Sequence, residues 1–307
     1  QPSDTTTESR VIQSTPRLVG VVRPILAVLQ TVMAILSVAV AGILTGHCPA
    51  WAAVQLPRYD HIVIVVEENH AASQIIGNKS APFFNALAAG GALMTQSYAV
   101  AHPSQPNYLA LFAGNTFGVD SDDCPLALGP APNLAAELLG AGYSFGGFAE
   151  DLPAVGSTVC SAGKYARKHA PWVNFTNVPA TASMPFTAFN AGPQLPTVSF
   201  IVPNLDNDMH DGSVAQADTW LATNITLYAN WARANHSLLI VTFDEDDSSA
   251  RNQISTVVYG ADVRPGTYGE TINHYSVLST VEQIYGLPRT GVAASTPPIT
   301  DIWTTTP

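Results

Sequence analysis

The stretch "HPSQPNY" (102–108) places a histidine and a serine among two prolines, immediately before the apolar run "LALFAG". Serine is favoured at the start of a helix and proline is tolerated in the first turn, so Ser104 could simply cap a helix. The same position suits a nucleophile, because the N–H groups and the dipole at a helix start favour an anion such as phosphate. A serine held there beside a metal ion would lose its proton more readily and could attack phosphorus.

Polar residues also follow other β-rich runs. The run "HIVIVV" (61–66) leads into Glu68 and Asn69, one residue further on. "SLLIVTF" is followed directly by Asp244 and Glu245, and "TVSFIVP" by a loop that contains His210 and Asp211. Polar loops between strands are common, so one such ending indicates little. Four endings rich in metal-ligating side chains, with the serine loop as the fourth, predict one shared site at the carboxyl edge of a sheet.

The side chains at two of these endings are hard oxygen donors. Glu68, Asn69, Asp244 and Glu245 suit a divalent cation, with Ser104 as a further ligand, whereas a zinc–thiolate centre is not expected. An acidic turn exposed to water would also explain "FDEDD". Against that alternative, four adjacent carboxylates after an apolar strand repel one another unless a cation or basic group lies nearby.

Three histidines lie beside polar groups at the ends of predicted elements. They are His102, His210 and His274. Each alone is typical of a surface histidine, but together they could bind phosphate oxygens or protonate a leaving alkoxide. His61 and His236, in or just before predicted strands, are expected to be structural.

Strand-like and helix-like stretches alternate from Tyr59 onward, which predicts a doubly wound α/β fold with a mostly parallel sheet flanked by helices. The predicted strands are 61–66, 92–100, 143–150, 197–203, 237–243 and 254–260. The predicted helices are 82–90, one opening near Ser104, 132–142, 213–233 and 275–287. The loop-rich segment 151–196 is expected to form a cap over one end of the sheet.

Composition narrows the class of function. The chain has 307 residues, 47% hydrophobic and 11% charged, with a formal net charge of −11. This is typical of one large or two small folded domains and disfavours nucleic acid as a partner. Because an acidic surface repels anions, phosphate chemistry would need a local positive group such as a metal ion.

The first 52 residues read as a secretory signal, with arginines, a long apolar run and the small-x-small site Ala50-Trp51-Ala52. An uncleaved membrane anchor is the alternative, since the run is about long enough to span a bilayer. Residues 53–307 are predicted to form a single domain that is secreted or extracytoplasmic and has no membrane span after cleavage. In that compartment Cys124 and Cys160 are expected to form a disulfide; two separate buried thiols are the alternative.

The motifs "VVEEN", "HPSQPNYLALFAGN", "NDMHDGS", "VTFDEDD" and "NHYSVLSTVEQIYGL" occur in this order between about Tyr59 and Ile302. Together they resemble the acid phosphatase and phospholipase C phosphoesterase family, a relative of the alkaline phosphatase superfamily. The resemblance implies an alkaline-phosphatase-like fold. The serine at position 104, where the phospholipase branch sometimes has threonine, favours the phosphatase branch.

The resemblance also implies roles for individual residues. The metal ligands it implies are Glu68, Asn69, Ser104, Asp244 and Glu245. The catalytic residues it implies are Ser104 as nucleophile, His102, His210 with Asp211 behind it, His274, and His169 at the rim of the site. Family members often have "DEGGG" where this chain has "DEDDSS", which leaves the roles of Asp246 and Asp247 open.

These observations lead to the expectation of a secreted, metal-assisted acid phosphatase that hydrolyses phosphate monoesters. The substrates would be phosphorylated small molecules, and the resemblance extends them to phosphoinositide headgroups. A phospholipase C-like phosphodiesterase is one alternative. A secreted, non-catalytic protein that binds a cation or ligand is another.

Overall fold

The computed structural model describes residues 55–304, so the expected signal or anchor at 1–52 lies outside the described residues. The strands are β1 His61–Glu67, β2 Ala92–Tyr98, β3 Phe145–Ala149, β4 Ser161–Ala162, β5 Tyr165–Ala166, β6 Ser183–Pro185, β7 Val198–Val202, β8 Ser237–Phe243, β9 Gln253–Gly260 and β10 Gly266–Asn273. The α-helices are α1 Ala72–Ile75, α2 Pro82–Gly90, α3 Ser104–Ala113, α4 Leu134–Gly140, α5 Val214–Ala234 and α6 His274–Tyr285.

Eight strands form one sheet in the order β10-β2-β9-β8-β1-β7-β3-β6. Parallel pairing joins β1 to β7 and β8, β3 to β6 and β7, and β10 to β2. Strand β9 is antiparallel to β8 and β2, so the other seven strands share one direction. The expected mostly parallel α/β sheet is confirmed, and the carboxyl ends of β1, β2, β7 and β8 lie at one edge.

Helices cover both faces of this sheet. On one face Ile64 of β1 packs in the same apolar core as Phe112 of α3, together with residues of α4 and α6. On the other face Val65 packs in a second core with Leu221 of α5 and residues of α2. A strand buried on both faces reads as a continuous β-branched run, which explains "HIVIVV".

The antiparallel direction of β9 follows from the short connection before it. Residues 244–252 join β8 to β9, and a parallel neighbour would need a crossover of a dozen or more residues. The carboxylate of Asp246 accepts backbone N–H groups of Ser248, Ala250 and Asn252 at 2.8, 2.8 and 2.9 Å. Asp246 therefore holds the shape of the turn in which it lies.

The segment 151–196 is tied to the sheet more closely than a cap would be. Strand β6 pairs with β3 at the sheet edge. Trp172 packs on Gly147 of β3, where a Cβ atom would lie 2.2 Å from the indole ring, so only glycine fits. After the β4–β5 hairpin, a single 3₁₀ turn, Arg167–His169, brings two of its side chains to the site described below.

Strand β10 has no counterpart among the sequence predictions. "GTYGETIN" contains two glycines, and most of its residues are exposed or half-exposed because it is an edge strand. A strand with little buried apolar surface gives a weak periodic signal. It leads directly into α6, where the Asn273 side chain caps the helix by accepting the Ser276 N–H at 3.2 Å.

Candidate active site

Ser104 is buried at the first position of α3, and Pro103 occupies the capping position. No side chain caps this helix, so the explanation of Ser104 as an N-cap is wrong. The Ser104 Oγ lies 3.1 Å from Glu68 Oε2 and 3.2 Å from Glu245 Oε1. A hydroxyl carries one proton, so it donates to one carboxylate at a time, and either can act as its acceptor.

Glu68 lies at the centre of the group. Besides Ser104, its carboxylate accepts a hydrogen bond from the Tyr108 hydroxyl and lies 3.1 Å from the Nε2 of His169. It is fully buried, and burial together with the charges of Asp244 and Asp208 raises its pKa well above the usual range. A carboxyl group held in this way is stabilised as an anion only if positive charge is supplied nearby.

Asn69 and Asp244 follow the neighbouring strands β1 and β8 and meet at the carboxyl ends of these strands. Asn69 has φ 49°, in the left-handed region, and its backbone N–H donates to Asp244 Oδ1 at 3.1 Å. Burial and the charge of Glu245 raise the pKa of Asp244 to about 8, despite the hydrogen bonds donated by the backbone N–H groups of Asn69 and Glu245. The Ser104 hydroxyl thus contacts Glu68 and Glu245, and Asp244 is joined to the backbone of Glu245 and Asn69 beside them.

His169 is in the interior rather than at the rim where it was expected. Its side chain is 1% exposed, stacks on Tyr108 at a centroid distance of 5.0 Å, and places Nδ1 3.4 Å from Asp208 Oδ2. Ligand atoms of Glu68, His169 and Asp208 all lie within 4.8 Å of one another. Asp208 was not among the expected ligands, although it lies in the "NDMHD" motif that the sequence singles out.

Two buried oxygens of this group, Asn69 Oδ1 and Asp244 Oδ2, have no hydrogen-bond partner among residues 55–304. His169 Nε2 and Asp208 Oδ2 form no hydrogen bond there either, although they lie 3.1 Å from Glu68 Oε1 and 3.4 Å from His169 Nδ1. Burying polar atoms unpaired is costly, so this set indicates a ligand that the protein does not itself supply. Carboxylate and amide oxygens with an imidazole nitrogen are donors for a divalent cation. The residues present therefore fit a metal ion, whose identity they leave open.

His102 and Glu245 form the solvent side of the group. His102 Nδ1 pairs with the Glu245 carboxylate, and His102 Nε2 lies 3.3 Å from Asp246 Oδ1. Burial raises the pKa of Glu245, and His102 opposes that effect. The His102 side chain is 40% exposed, so the group extends from the interior to the surface. Asp247 points elsewhere, because it accepts the Gln74 amide at 2.8 Å.

His210 and Asp211 form a second half-exposed pair. His210 Nδ1 lies 2.9 Å from Asp211 Oδ1, and the His210 backbone N–H donates to Asp208 at 2.8 Å. The other oxygen of Asp211 accepts the Lys164 ammonium at 3.1 Å. Asp211 thus holds the imidazole in one orientation, with Nδ1 engaged and Nε2 turned toward Lys168, 3.4 Å away.

His274 is the predicted site residue that makes no direct contact with the others. It is buried, and its Nε2 lies 3.0 Å from the carbonyl oxygen of Phe243, the residue before Asp244. Burial lowers the pKa of His274 to about 4, so the ring is neutral. In this position it supports the end of β8.

Sequence reasoning missed Tyr108, Asp122 and Lys168. Tyr108 follows Ser104 by four residues, a spacing that places both on one face of a helix and could have revealed it. Lys168 directly precedes His169 and pairs with Asp122 at 2.8 Å. Nothing local in the sequence links Asp122 to Lys168, because 46 residues separate them.

Comparison with known proteins assigns the family. Residues 78–288 match the model of the Phosphoesterase family. The chain belongs to the phosphoesterase family. It is 63% identical over 289 residues to the phosphatidylinositol-3-phosphatase of Mycobacterium tuberculosis, covering 92% of this chain and 96% of that protein. The family and the enzyme class expected from the sequence, an acid phosphatase, are both confirmed.

A more distant relative is an acid phosphatase of Aspergillus fumigatus, 34% identical over 237 residues and 67% of this chain. The chain spans about half of that fungal protein, 51% of its length. The fold resembles a protein of the alkaline phosphatase superfamily from Vibrio parahaemolyticus, with a TM-score of 0.56, 14% identity, and 80% and 71% of the two chains covered. Within residues 55–304, every helix is too short or too polar to cross a bilayer.

Proposed function

We propose that this chain is a metal-assisted phosphomonoesterase in which Ser104 is the nucleophile. One observation carries the proposal. The Ser104 hydroxyl lies at a helix start, within 3.1 and 3.2 Å of the carboxylates of Glu68 and Glu245, beside buried donor atoms that lack partners. A nucleophile, an acceptor for its proton and a set of cation ligands thus occupy the same few ångströms.

The donor atoms divide into two groups around Glu68. Asn69 and Asp244 contact each other next to Glu245, an acceptor of Ser104. His169 contacts Glu68 and Asp208 and stacks on Tyr108. We propose that the ligand set expected from the sequence, Glu68, Asn69, Ser104, Asp244 and Glu245, holds a divalent cation and that His169 and Asp208 are further ligands beside Glu68. When bound, such an ion would offset the carboxylate charges, lower the pKa of the serine hydroxyl and bind phosphoryl oxygens.

The protein's own side chains then account for the bonds and protons. The Ser104 proton passes to Glu68 or Glu245, the Oγ–P bond forms and the bond from phosphorus to the ester oxygen breaks. His210, oriented by Asp211, is placed to give the leaving alkoxide a proton. Water then cleaves the phosphoserine, releasing phosphate and restoring Ser104. His102 positions Glu245, and His274 acts through the end of β8 as a positioning residue.

We also propose that this chain acts on phosphorylated small molecules, phosphoinositide headgroups among them, outside the cytoplasm. The mycobacterial relative is named for a phosphatidylinositol 3-phosphate, which supports phosphoinositide headgroups among the substrates of this chain. The bond between Cys124 and Cys160 supports an extracytoplasmic location, because such disulfides persist in oxidising compartments. We propose that residues 53–307 form the exported phosphatase domain.

The test is hydrolysis of p-nitrophenyl phosphate by the wild type and by Ser104→Ala, with added Mg²⁺, Mn²⁺ or Ca²⁺ and with chelator. Loss of the nucleophile should lower kcat by roughly 10³-fold or more, and chelation should lower it comparably. Acid quenching followed by mass analysis should find one phosphoryl group on the peptide containing Ser104. Ser80→Ala, at an exposed serine, is the matched control and should retain wild-type turnover.

Other results would overturn the proposal. Wild-type turnover by Ser104→Ala, with no phosphorylated peptide, would remove the serine mechanism. Turnover of bis(p-nitrophenyl) phosphate without turnover of the monoester would identify a phosphodiesterase instead. No turnover of either ester with any of the three cations would identify a non-catalytic binding protein.

A further inference from the structure

Lys168 is a half-buried cation at the edge of an otherwise acidic site. Its side chain is 18% exposed, and its ammonium donates to Asp122 Oδ2 at 2.8 Å and lies 3.4 Å from His210 Nε2. An ammonium has three N–H donors; Asp122 accepts one, and at most one other can be donated to His210, so at least one remains without a partner among residues 55–304. A donor left open beside His210, on the side of the site that reaches solvent, is placed to bind an anionic substrate.

The other cations nearby point elsewhere. The guanidinium of the adjacent Arg167 donates to the carbonyl oxygens of Thr158 and Leu126 at 2.8 and 3.0 Å, away from Ser104. Lys164, between strands β4 and β5, forms ion pairs with the exposed carboxylates of Asp206 and Asp211. The charge of Lys168 lowers the pKa of Glu68 and of Asp208, against the larger effect of burial, which raises both.

Asp122 ties this ammonium to the nucleophile's helix. Asp122 Oδ1 accepts the backbone N–H of Gln105, the residue after Ser104, at 2.9 Å, while Oδ2 accepts Lys168. The side-chain amide of Gln105 clamps the same loop by donating to the carbonyl oxygens of Ser121 and Asp123 at 3.0 and 3.2 Å. The ammonium is therefore fixed relative to the first turn of α3 and cannot swing freely into water.

We propose that Lys168, positioned by Asp122, binds a non-bridging phosphoryl oxygen and makes the site selective for monoester dianions over diester monoanions. The inference rests on the proposed function. A monoester presents three non-bridging oxygens and two negative charges, whereas a diester presents two oxygens and one charge. A fixed ammonium in a partly desolvated site stabilises the dianion more strongly, because the attraction scales with charge and is weakly screened there.

The experiment compares kcat/KM for p-nitrophenyl phosphate and for methyl p-nitrophenyl phosphate, which share a leaving group. Lys168→Met should lower the monoester value by about 10²–10³-fold and the diester value by less than about tenfold. Lys168→Arg should recover most of the monoester activity, since it keeps the charge. Competition with inorganic phosphate and with dimethyl phosphate gives the same comparison as inhibition constants if the diester is turned over too slowly to measure.

Lys79→Met, at an exposed lysine, is the matched control and should leave both substrates unaffected. Asp122→Asn keeps an acceptor for Gln105 but loses the charge, and should lower monoester selectivity less than Lys168→Met does. An equal loss on both esters by Lys168→Met, or wild-type selectivity in that variant, would overturn the inference. If Ser104→Ala is inactive while Lys168→Met keeps wild-type selectivity, the inference fails and the serine mechanism stands.

Discussion

Removing the charge of Asp244 should stabilise the cation-free protein near neutral pH, even though it removes a proposed metal ligand. Burial and the nearby Glu245 raise the pKa of Asp244 from 3.8 to about 8. Between about pH 5 and 7 the native carboxyl group is therefore protonated, whereas that of the unfolded chain is ionised. The native state binds the additional proton, so this group's contribution to stability is lost as the pH rises, by about 1.4 kcal/mol per pH unit.

Asp244→Asn isolates this effect. The amide oxygen can still accept the N–H groups of Asn69 and Glu245, but the side chain cannot ionise. The free energy of unfolding of the variant, relative to the wild type, should shift in its favour by about 3 kcal/mol between pH 5 and pH 7. His169 and His274, whose pKa values burial lowers, have the opposite pH dependence, but they are present in both proteins and cancel in the difference.

The assay is urea denaturation of both proteins at pH 5, 6 and 7 in the presence of chelator, with Asp120→Asn as the control at an exposed carboxylate. A cation that binds only the native state stabilises that state by mass action. Adding Mn²⁺ should therefore stabilise the wild type more than Asp244→Asn, which lacks one of the proposed ligands. A difference that does not change with pH, or a variant less stable than the wild type at pH 7 in chelator, would refute the reasoning.

Two further predictions concern the cation and the disulfide. His169→Ala should weaken Mn²⁺ binding, measured by titration calorimetry, by at least about tenfold; unchanged affinity would place the ion elsewhere. Replacing Cys124 and Cys160 by serine opens a loop of sequence separation 36 and should lower the free energy of unfolding by about 4 kcal/mol. Urea denaturation measures this loss, and an unchanged midpoint would show that the disulfide adds no stability.

Much of the architecture could be read from local sequence patterns. β1 and β8 are continuous apolar runs because they are buried on both faces, and each ends where charged residues begin. α5 shows helical spacing over 21 residues and starts after Ser213, which accepts the Gln216 N–H at 3.2 Å. Patterns of this kind are set by which neighbouring residues are buried, so secondary structure can be predicted from them without knowledge of the rest of the chain.

Other features depended on distances along the chain that no local pattern reports. The edge strand β10 buries too little apolar surface to be recognised, and the direction of β9 depends on the length of one turn. His169 follows a short hairpin in a loop-rich segment, which is typical of the surface, yet the fold buries it between Glu68 and Asp208. Its burial depends on the packing of the 3₁₀ turn Arg167–His169 against α3, where His169 stacks on Tyr108.

The amino-acid sequence by itself determined the α/β class, the polar strand ends and the residue types of the site, because hydrophobic periodicity and donor chemistry are local properties. Only the tertiary structure decided that the Ser104 hydroxyl is shared by Glu68 and Glu245, that His274 stands behind the site, and that Lys168 is held at its edge. These outcomes depend on parallel strands that bring together residues 36 to 141 positions apart, and chain topology sets that geometry.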